Sequence, residues 1–273
     1  MKHILKYLPA LLSLLCIGCT EVIELDLNSS EPQVVIEGST GNNGDSSIIK
    51  ISRSINFDVD NIFPTIENAL VVISDDLGNF DTLPEVESGL YKSGFSGNSG
   101  RTYYLNVLAD GKTFSSQSFL PAQVNFDSLK INEVQGSGGG PGGPGGPGGN
   151  INHEVIVYFQ DPASDKNYYR FVEYRNGKVS TRVFIYDDRL SNGSNIKLTL
   201  RGSTGRYDAG DIVTFEMQCI DKPVYEYLNS FSNLNGGPGA SSAPANPYTN
   251  IEGSKLGYFS AHTVQRLTKV VVP

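Results

Sequence analysis

"TYYLNVLADGKTFSSQSF", residues 102–119, decides the fold class of this chain. Two runs that alternate with a period of two, 102–110 and 112–119, meet at Asp110-Gly111, a dipeptide suited to a tight hairpin turn. The same alternation recurs on both sides. Upstream lie "PQVVIEG" (32–38), "SSIIKISRS" (46–54) and "NALVVISDD" (68–76), with turn signals at Gly41-Asn42-Asn43-Gly44 and Leu77-Gly78-Asn79. Downstream follow "FDSLKINEV", "HEVIVYFQD", "NYYRFVEYRNGKVSTRVFIYDD", "NIKLTLRG" and "GDIVTFEMQCID", and Asn176-Gly177 is the strongest hairpin signal among them. Within "IVTFEMQCI", Val213, Phe215, Met217 and Cys219 alternate with Thr214, Glu216 and Gln218, which puts the thiol on the apolar face of a strand as a buried structural cysteine.

Helical periodicity is confined to "KPVYEYLNSFSNL" (222–234). Asp221 stands where a cap is needed, Pro223 falls in the first turn, and Val224, Tyr227, Leu228 and Phe231 line one stripe. "LGYFSAHTVQRLTKVVV" then returns as strand. Strands at this spacing, each burying one face, are satisfied by pairs of packed sheets. The expected fold is therefore all-β: two β-sandwiches of immunoglobulin or transthyretin type with one short helix near the carboxyl end. Pro121-Ala122 marks a boundary between a sandwich over 31–122 and a second β-rich domain over 123–273.

"GSGGGPGGPGGPGGN" (136–150) interrupts the second domain. Glycine at every third place raises a collagen triple helix, but short units on one chain are poor material for it. Glycine carries the largest ordering cost and proline blocks ladder pairing, so the segment reads as a flexible, exposed hairpin loop. Residues 236–247 read as a second such loop.

The amino end fixes the compartment. Lys2 and Lys6 precede an apolar run from Leu8 to Ile17, roughly half the 20 residues a membrane-spanning helix needs. That pattern is a signal peptide over 1–18. Cys16 and Cys19 form neither a zinc site, for which ligands are lacking, nor a redox pair, for which no strand-helix-strand context exists. Cys19 directly follows Ile17-Gly18 and so resembles the lipobox cysteine of bacterial lipoproteins, with Cys16 in the usual leucine place. Acylated Cys19 would become the first residue of the mature chain and hold it on a membrane, since each buried methylene contributes about 0.8 kcal/mol. Residues 19–30 then form an acidic tether. Thr20 in place of Asp fits the sorting rule that sends bacterial lipoproteins to the outer membrane, and Glu21, Glu24 and Asp26 resemble the acidic signal that carries such lipoproteins to its outer face.

Loss of residues 1–18 removes two lysines and no acid, so the formal charge falls from -8 to -10. Nucleic acid is not an expected partner for such a surface. Catalytic constellations are also missing. "GFSGN" and "GNSGR" lack the glycines of a nucleophile elbow, two mature histidines give no clear triad, and Gly111-Lys112 and Gly177-Lys178 lack the earlier glycine of a phosphate loop. Asp75-Asp76, Asp58 with Asp60, Asp161 with Asp165, and Asp187-Asp188 sit at strand ends, where aspartate makes turns; none has EF-hand spacing. No catalytic, cofactor-binding or metal-ligating residue is assigned. Tyr168, Tyr169, Phe171 and Tyr174 offer a stacking platform, although half of them should face a core.

Taken together, Cys19 with "EVIELDL", then "PQVVIEG", "IENALVVISDDLGN", "GLYKS", "GRTYYLNVLADGKTF", "KPVYEYLNS" and "NPYTNIEGSKLGYFSAHTV", in this order, resemble the DUF4249 family of Bacteroidota outer-membrane lipoproteins. The resemblance implies a non-enzymatic surface accessory to a TonB-dependent transporter barrel, in the manner of substrate-capturing lipoproteins that cap SusC-like barrels. The contrasting expectation is a structural or adhesive surface lipoprotein without a transporter. "DTL" (81–83) and "DSL" (127–129) are similar to the O-glycosylation acceptor sequence of these bacteria, which makes Thr82 and Ser128 candidate sugar-bearing residues.

Overall fold

The computed structural model describes residues 31–44, 47–56, 62–135, 151–200, 207–234 and 247–272. The leader, Cys19, the acidic tether and the Gly/Pro loop 136–150 lie outside the described residues, as do Asp58 and Asp60. Chain order begins with β1 (Val34–Gly41), β2 (Ser47–Arg53), β3 (Leu70–Asp75), β4 (Phe80–Thr82), β5 (Glu85–Glu87), β6 (Leu90–Ser93), β7 (Arg101–Ala109) and β8 (Lys112–Leu120). It continues with β9 (Ser128–Gln135), β10 (Ile151–Gln160), β11 (Tyr168–Arg175), β12 (Lys178–Val179), β13 (Phe184–Asp187), β14 (Asn195–Thr199) and β15 (Ile212–Ile220). A helix, α1 (Lys222–Leu234), precedes β16 (Ile251–Glu252), β17 (Leu256–His262) and β18 (Gln265–Val270).

These strands build two sandwiches, as the alternation predicts. The first stacks a front sheet of order β16-β8-β7-β3-β4 on a back sheet of order β17-β1-β2-β6-β5. Ile36, Ile49, Ile73, Tyr103, Leu105 and Phe259 fill the space between them. The second stacks a distal sheet, β14-β10-β9, on a junction sheet, β12-β11-β15-β18, with β13 also paired to β11. Val157, Phe159, Phe171, Phe215 and Met217 form its interior, each such side chain contributing about 1.5–3 kcal/mol by leaving water. Both predicted hairpin turns form. Asp110 (φ 52°) with Gly111 (φ 70°), and Asn176 (φ 49°) with Gly177 (φ 79°), are left-handed pairs matching the twist of the strands they join.

The sandwich boundary needs correction. Residues assigned by the sequence to the domain 123–273 return to the first sandwich: β16 pairs with β8, and β17 lies parallel to β1, with Val35 opposite Leu256 and Gly41 opposite His262. The physical reason is that alternation specifies which face of a strand is buried but not which sheet receives it. At Gly257, φ is +100° and an added Cβ would collide with the Ile36 carbonyl oxygen, so only glycine lets β17 lie this close to β1. "LGYFSAHTVQRLTKVVV" is thus two strands in different sandwiches. Thr263 sits at the crossing, where its hydroxyl accepts from the Cys219 amide at 3.0 Å.

Helix α1 begins where the sequence places it. The Asp221 carboxylate accepts from the Val224 amide at 3.1 Å, and its other oxygen accepts from the Ser118 hydroxyl and the Phe119 amide, both at 2.9 Å, tying the cap to β8. Val224, Tyr227 and Leu228 pack with Ile220, Tyr168 and Tyr258 in a third cluster where the junction sheet, α1 and β17 meet. Cys219 is buried in the second core, and burial pushes its thiol up. No helix among the described residues is long and apolar enough to cross a membrane.

Candidate binding face on the front sheet

The interiors of both sandwiches are filled by side chains, so the useful chemistry lies on outward faces. On the front sheet, cross-strand register lines up Phe80, Ser74, Tyr104 and Gln117 in one row, and Thr82, Val72, Asn106, Ser115 and Glu252 in the next. Directly opposed side chains in such rows have Cβ atoms about 4.5–5.5 Å apart. Leu70 and Leu108, a third row, are also solvent-exposed.

A groove of about 570 Å³ runs over this face, floored by Tyr104, Asn106 and Gln117 and rimmed by residues 248–252. The rim is held by its own bonds. Asn250 donates from Nδ2 to the Phe259 carbonyl at 2.7 Å and accepts the Phe259 amide at 3.0 Å. Thr249 donates to the Gly257 carbonyl at 2.8 Å, Ser116 donates to the Asn250 carbonyl at 2.7 Å, and Ile251 is buried. Tyr248 therefore projects from a fixed backbone and is 51% exposed, while Tyr104 is 36% exposed. Glu252 accepts the Ser115 hydroxyl at 3.1 Å. The side chains of Tyr104, Asn106, Gln117 and Tyr248 make no hydrogen bond among the described residues.

The predicted sugar-bearing residues lie on separate sandwiches. Thr82 is exposed on β4 at the edge of the front sheet, in the row that contains Asn106. Ser128 is half-buried at the start of β9, opposite Tyr158 on the distal sheet. The structure does not bring them together.

Of the described aspartates in these pairs, Asp75 and Asp187 make local turn bonds, whereas Asp76, Asp161 and Asp188 are held by partners distant in sequence. Asp75 accepts from the Asn79 side chain at 2.8 Å and from the amides of Asn79 and Leu77, both at 2.9 Å; the Asn79 bond is the main cause of its lowered pKa. Asp76 pairs with Arg101 at 3.0 Å. Asp161 accepts from Tyr169 and Gly193, and Asp188 from the Asn167 amide at 2.8 Å. Among the described residues no three His, Cys, Asp or Glu side chains are grouped to hold a metal ion. The tyrosine platform is divided as expected, with Tyr169 and Phe171 in the core. Tyr168, on the other face, packs against Tyr225 of α1 with ring centroids 5.0 Å apart and the rings tilted by 42°.

Two polar clusters escaped the sequence reading. In the second sandwich, the Tyr207 hydroxyl donates to Glu173 at 2.6 Å and its amide to His153 Nδ1 at 3.3 Å; burial, then the Glu173 bond, pushes the phenol well up. At the junction, Glu216 and Gln218 are only 3% and 4% exposed. Glu216 accepts from Arg266 Nε at 2.7 Å and also from Gln218, while Arg170 donates to the Tyr258 hydroxyl at 3.2 Å. His262 packs into this cluster; burial, followed by the charge of Arg170, pushes its pKa down to about 4.

The family model DUF4249, described as a domain of unknown function, matches residues 20–268. The chain belongs to the DUF4249 family. No curated protein matches this DUF4249 chain in sequence. Among solved structures, it is similar to a two-domain fibronectin type-III segment from chicken tenascin, at 11% identity over 69% of this chain and 91% of that one. The TM-score is 0.24, too low to carry an argument, so the fold of the DUF4249 chain rests on its own sheets.

Proposed function

We propose that this DUF4249 chain is a non-enzymatic outer-membrane lipoprotein, anchored through acylated Cys19 and facing the cell exterior, that captures a ligand for a TonB-dependent transporter barrel. The observation that carries the reading is the open front-sheet groove, whose phenol and amide groups have no partner among the described residues, on a sandwich whose interior is filled. Uncommitted polar groups on a rigid sheet are what a binding surface needs, because they pay little ordering entropy when a ligand arrives. The lipobox-like sequence at Cys19 supports the anchor, and the acidic tether supports reach from the membrane.

The test is isolation of the tagged full chain from native outer membranes after mild detergent extraction. A β-barrel partner in stoichiometric amount supports docking; its consistent absence overturns docking and leaves a structural or adhesive surface protein. The anchor is tested separately: Cys19→Ser is expected to release the chain from the membrane fraction, and retention there would overturn the lipoprotein assignment.

A further inference from the structure

We infer that the front-sheet groove binds neutral oligosaccharide, with Tyr104 and Tyr248 as the rings that cover sugar faces and Asn106 and Gln117 as the amides that pair with sugar hydroxyls. The inference rests on the reading of this face as a binding surface and names the class of ligand it takes.

Backbone arrangement removes one alternative. Strand β7 is bonded to β3 on one side and β8 on the other along its length, so its main-chain donors and acceptors are consumed. Extended peptides dock chiefly by adding to a free sheet edge. A ligand lying over β7 meets side chains, and main-chain groups enter only at the rim, where residues 251–252 form β16, the edge strand of this sheet.

Charge removes a second. The lining contains no Lys, Arg or His, and its single carboxylate, Glu252, is bonded by Ser115. Phosphates, nucleic acids and acidic polymers need cationic partners, and the chain as a whole carries a formal charge of -8. Anionic ligands are therefore excluded.

Polarity removes a third. A wholly apolar ligand would cover the amides of Asn106 and Gln117 without replacing their bonds to water, at the cost of unpaired polar groups. Each amide presents a donor pair and an acceptor, which suits neighbouring hydroxyls that both give and receive hydrogen bonds. Tyr104 lies directly opposite Gln117 and two residues from Asn106 on the same face, so ring and amides address one ligand unit together. Tyr248 stands on the rim, and Phe80, 72% exposed, continues the Tyr104 row toward β4. An aromatic ring flanked by amide and hydroxyl groups, without cations, fits a molecule with apolar C–H faces and a hydroxyl perimeter.

The experiment is affinity electrophoresis of the purified full chain in gels containing starch, β-1,3-glucan, α-mannan or galactomannan, with polygalacturonate as the anionic comparison. Calorimetric titration follows, with oligosaccharides cut from whichever neutral polymer retards the protein. Retardation by a neutral polymer is expected, weakened about tenfold by Tyr104→Ala and by Tyr248→Ala, and unchanged by Lys50→Ala on the back sheet. Near-ultraviolet circular dichroism checks that the variants keep the native packing. The inference is overturned if no neutral polymer retards the chain, if only polygalacturonate does, or if Tyr104→Ala with Tyr248→Ala binds like the parent. A barrel partner without saccharide binding would sink the ligand class and leave the transporter reading standing; saccharide binding without a barrel would do the reverse.

Discussion

The outward faces of the front sheet and the junction sheet begin from similar material and end differently. Each presents tyrosines among polar side chains in alternating positions. On the junction sheet, α1 and β17 cover the face: Tyr168 packs tilted against Tyr225 and Arg170 binds Tyr258, while Glu216 binds Arg266 of the neighbouring strand β18. On the front sheet, the side chains of Tyr104, Asn106 and Gln117 look onto a groove and make no hydrogen bond among the described residues. Partnered polar side chains, with buried Gln218 Oε1 the exception among the described residues, separate the internal joint from the open front face more than composition does.

Breaking the joint should cost most. Gly257→Ala places a Cβ against the Ile36 carbonyl oxygen at a left-handed backbone position, and should lower stability by about 4 kcal/mol or more in denaturant unfolding. Gly78→Ala is the control. It is also left-handed but meets open space, and should cost only about 1 kcal/mol. Equal losses from the two would show that close packing of β17 on β1 is unimportant.

Acid should open the same joint. His262 is buried and neutral, with Arg170 from β11, Glu216 from β15 and Ser260 of its own strand around it. Its folded pKa of about 4 lies below its ordinary value of 6.5. The unfolded chain therefore binds the extra proton first, and stability complete above about pH 6.5 is lost as pH falls toward 4. The loss should reach about 3 kcal/mol by pH 4. His262→Gln should flatten that part of the stability profile; a profile as steep as the parent's would assign the effect to other groups.

Removing the cover is milder. Leu228→Ala in α1 should destabilise by about 2 kcal/mol through lost packing on the junction sheet. Tyr104→Ala should cost no more than about 1 kcal/mol, because its side chain makes only surface cross-strand contacts. A large loss there would make the front face structural and erase the contrast between the two sheets.

What could be read from the sequence follows the same division. The strands β7, β8 and β15, both left-handed turns and the cap, proline and stripe of α1 are local features, and each was legible because its signal lies within a few residues. Strands β4, β5, β6 and β16 are two to four residues long and leave no period to detect. Glu216 and Gln218 alternate with apolar neighbours, as solvent-facing residues do, yet they are buried because β17 arrives from elsewhere in the chain. The groove rim was hidden for the same reason: Asn250 acts through Phe259, a partner that no spacing rule supplies.

The parallel pairing of β1 with β17 also sets an order of events. Ser254 donates to the Val34 carbonyl across 220 positions of sequence, so the first sandwich lacks an edge strand, and Phe259 from its core, until β17 has been made. Pairings this distant are slow to close. A chain arrested or cut before residue 256 would fail at its beginning rather than at its end, with β1 left as a bare edge open to pairing with other chains.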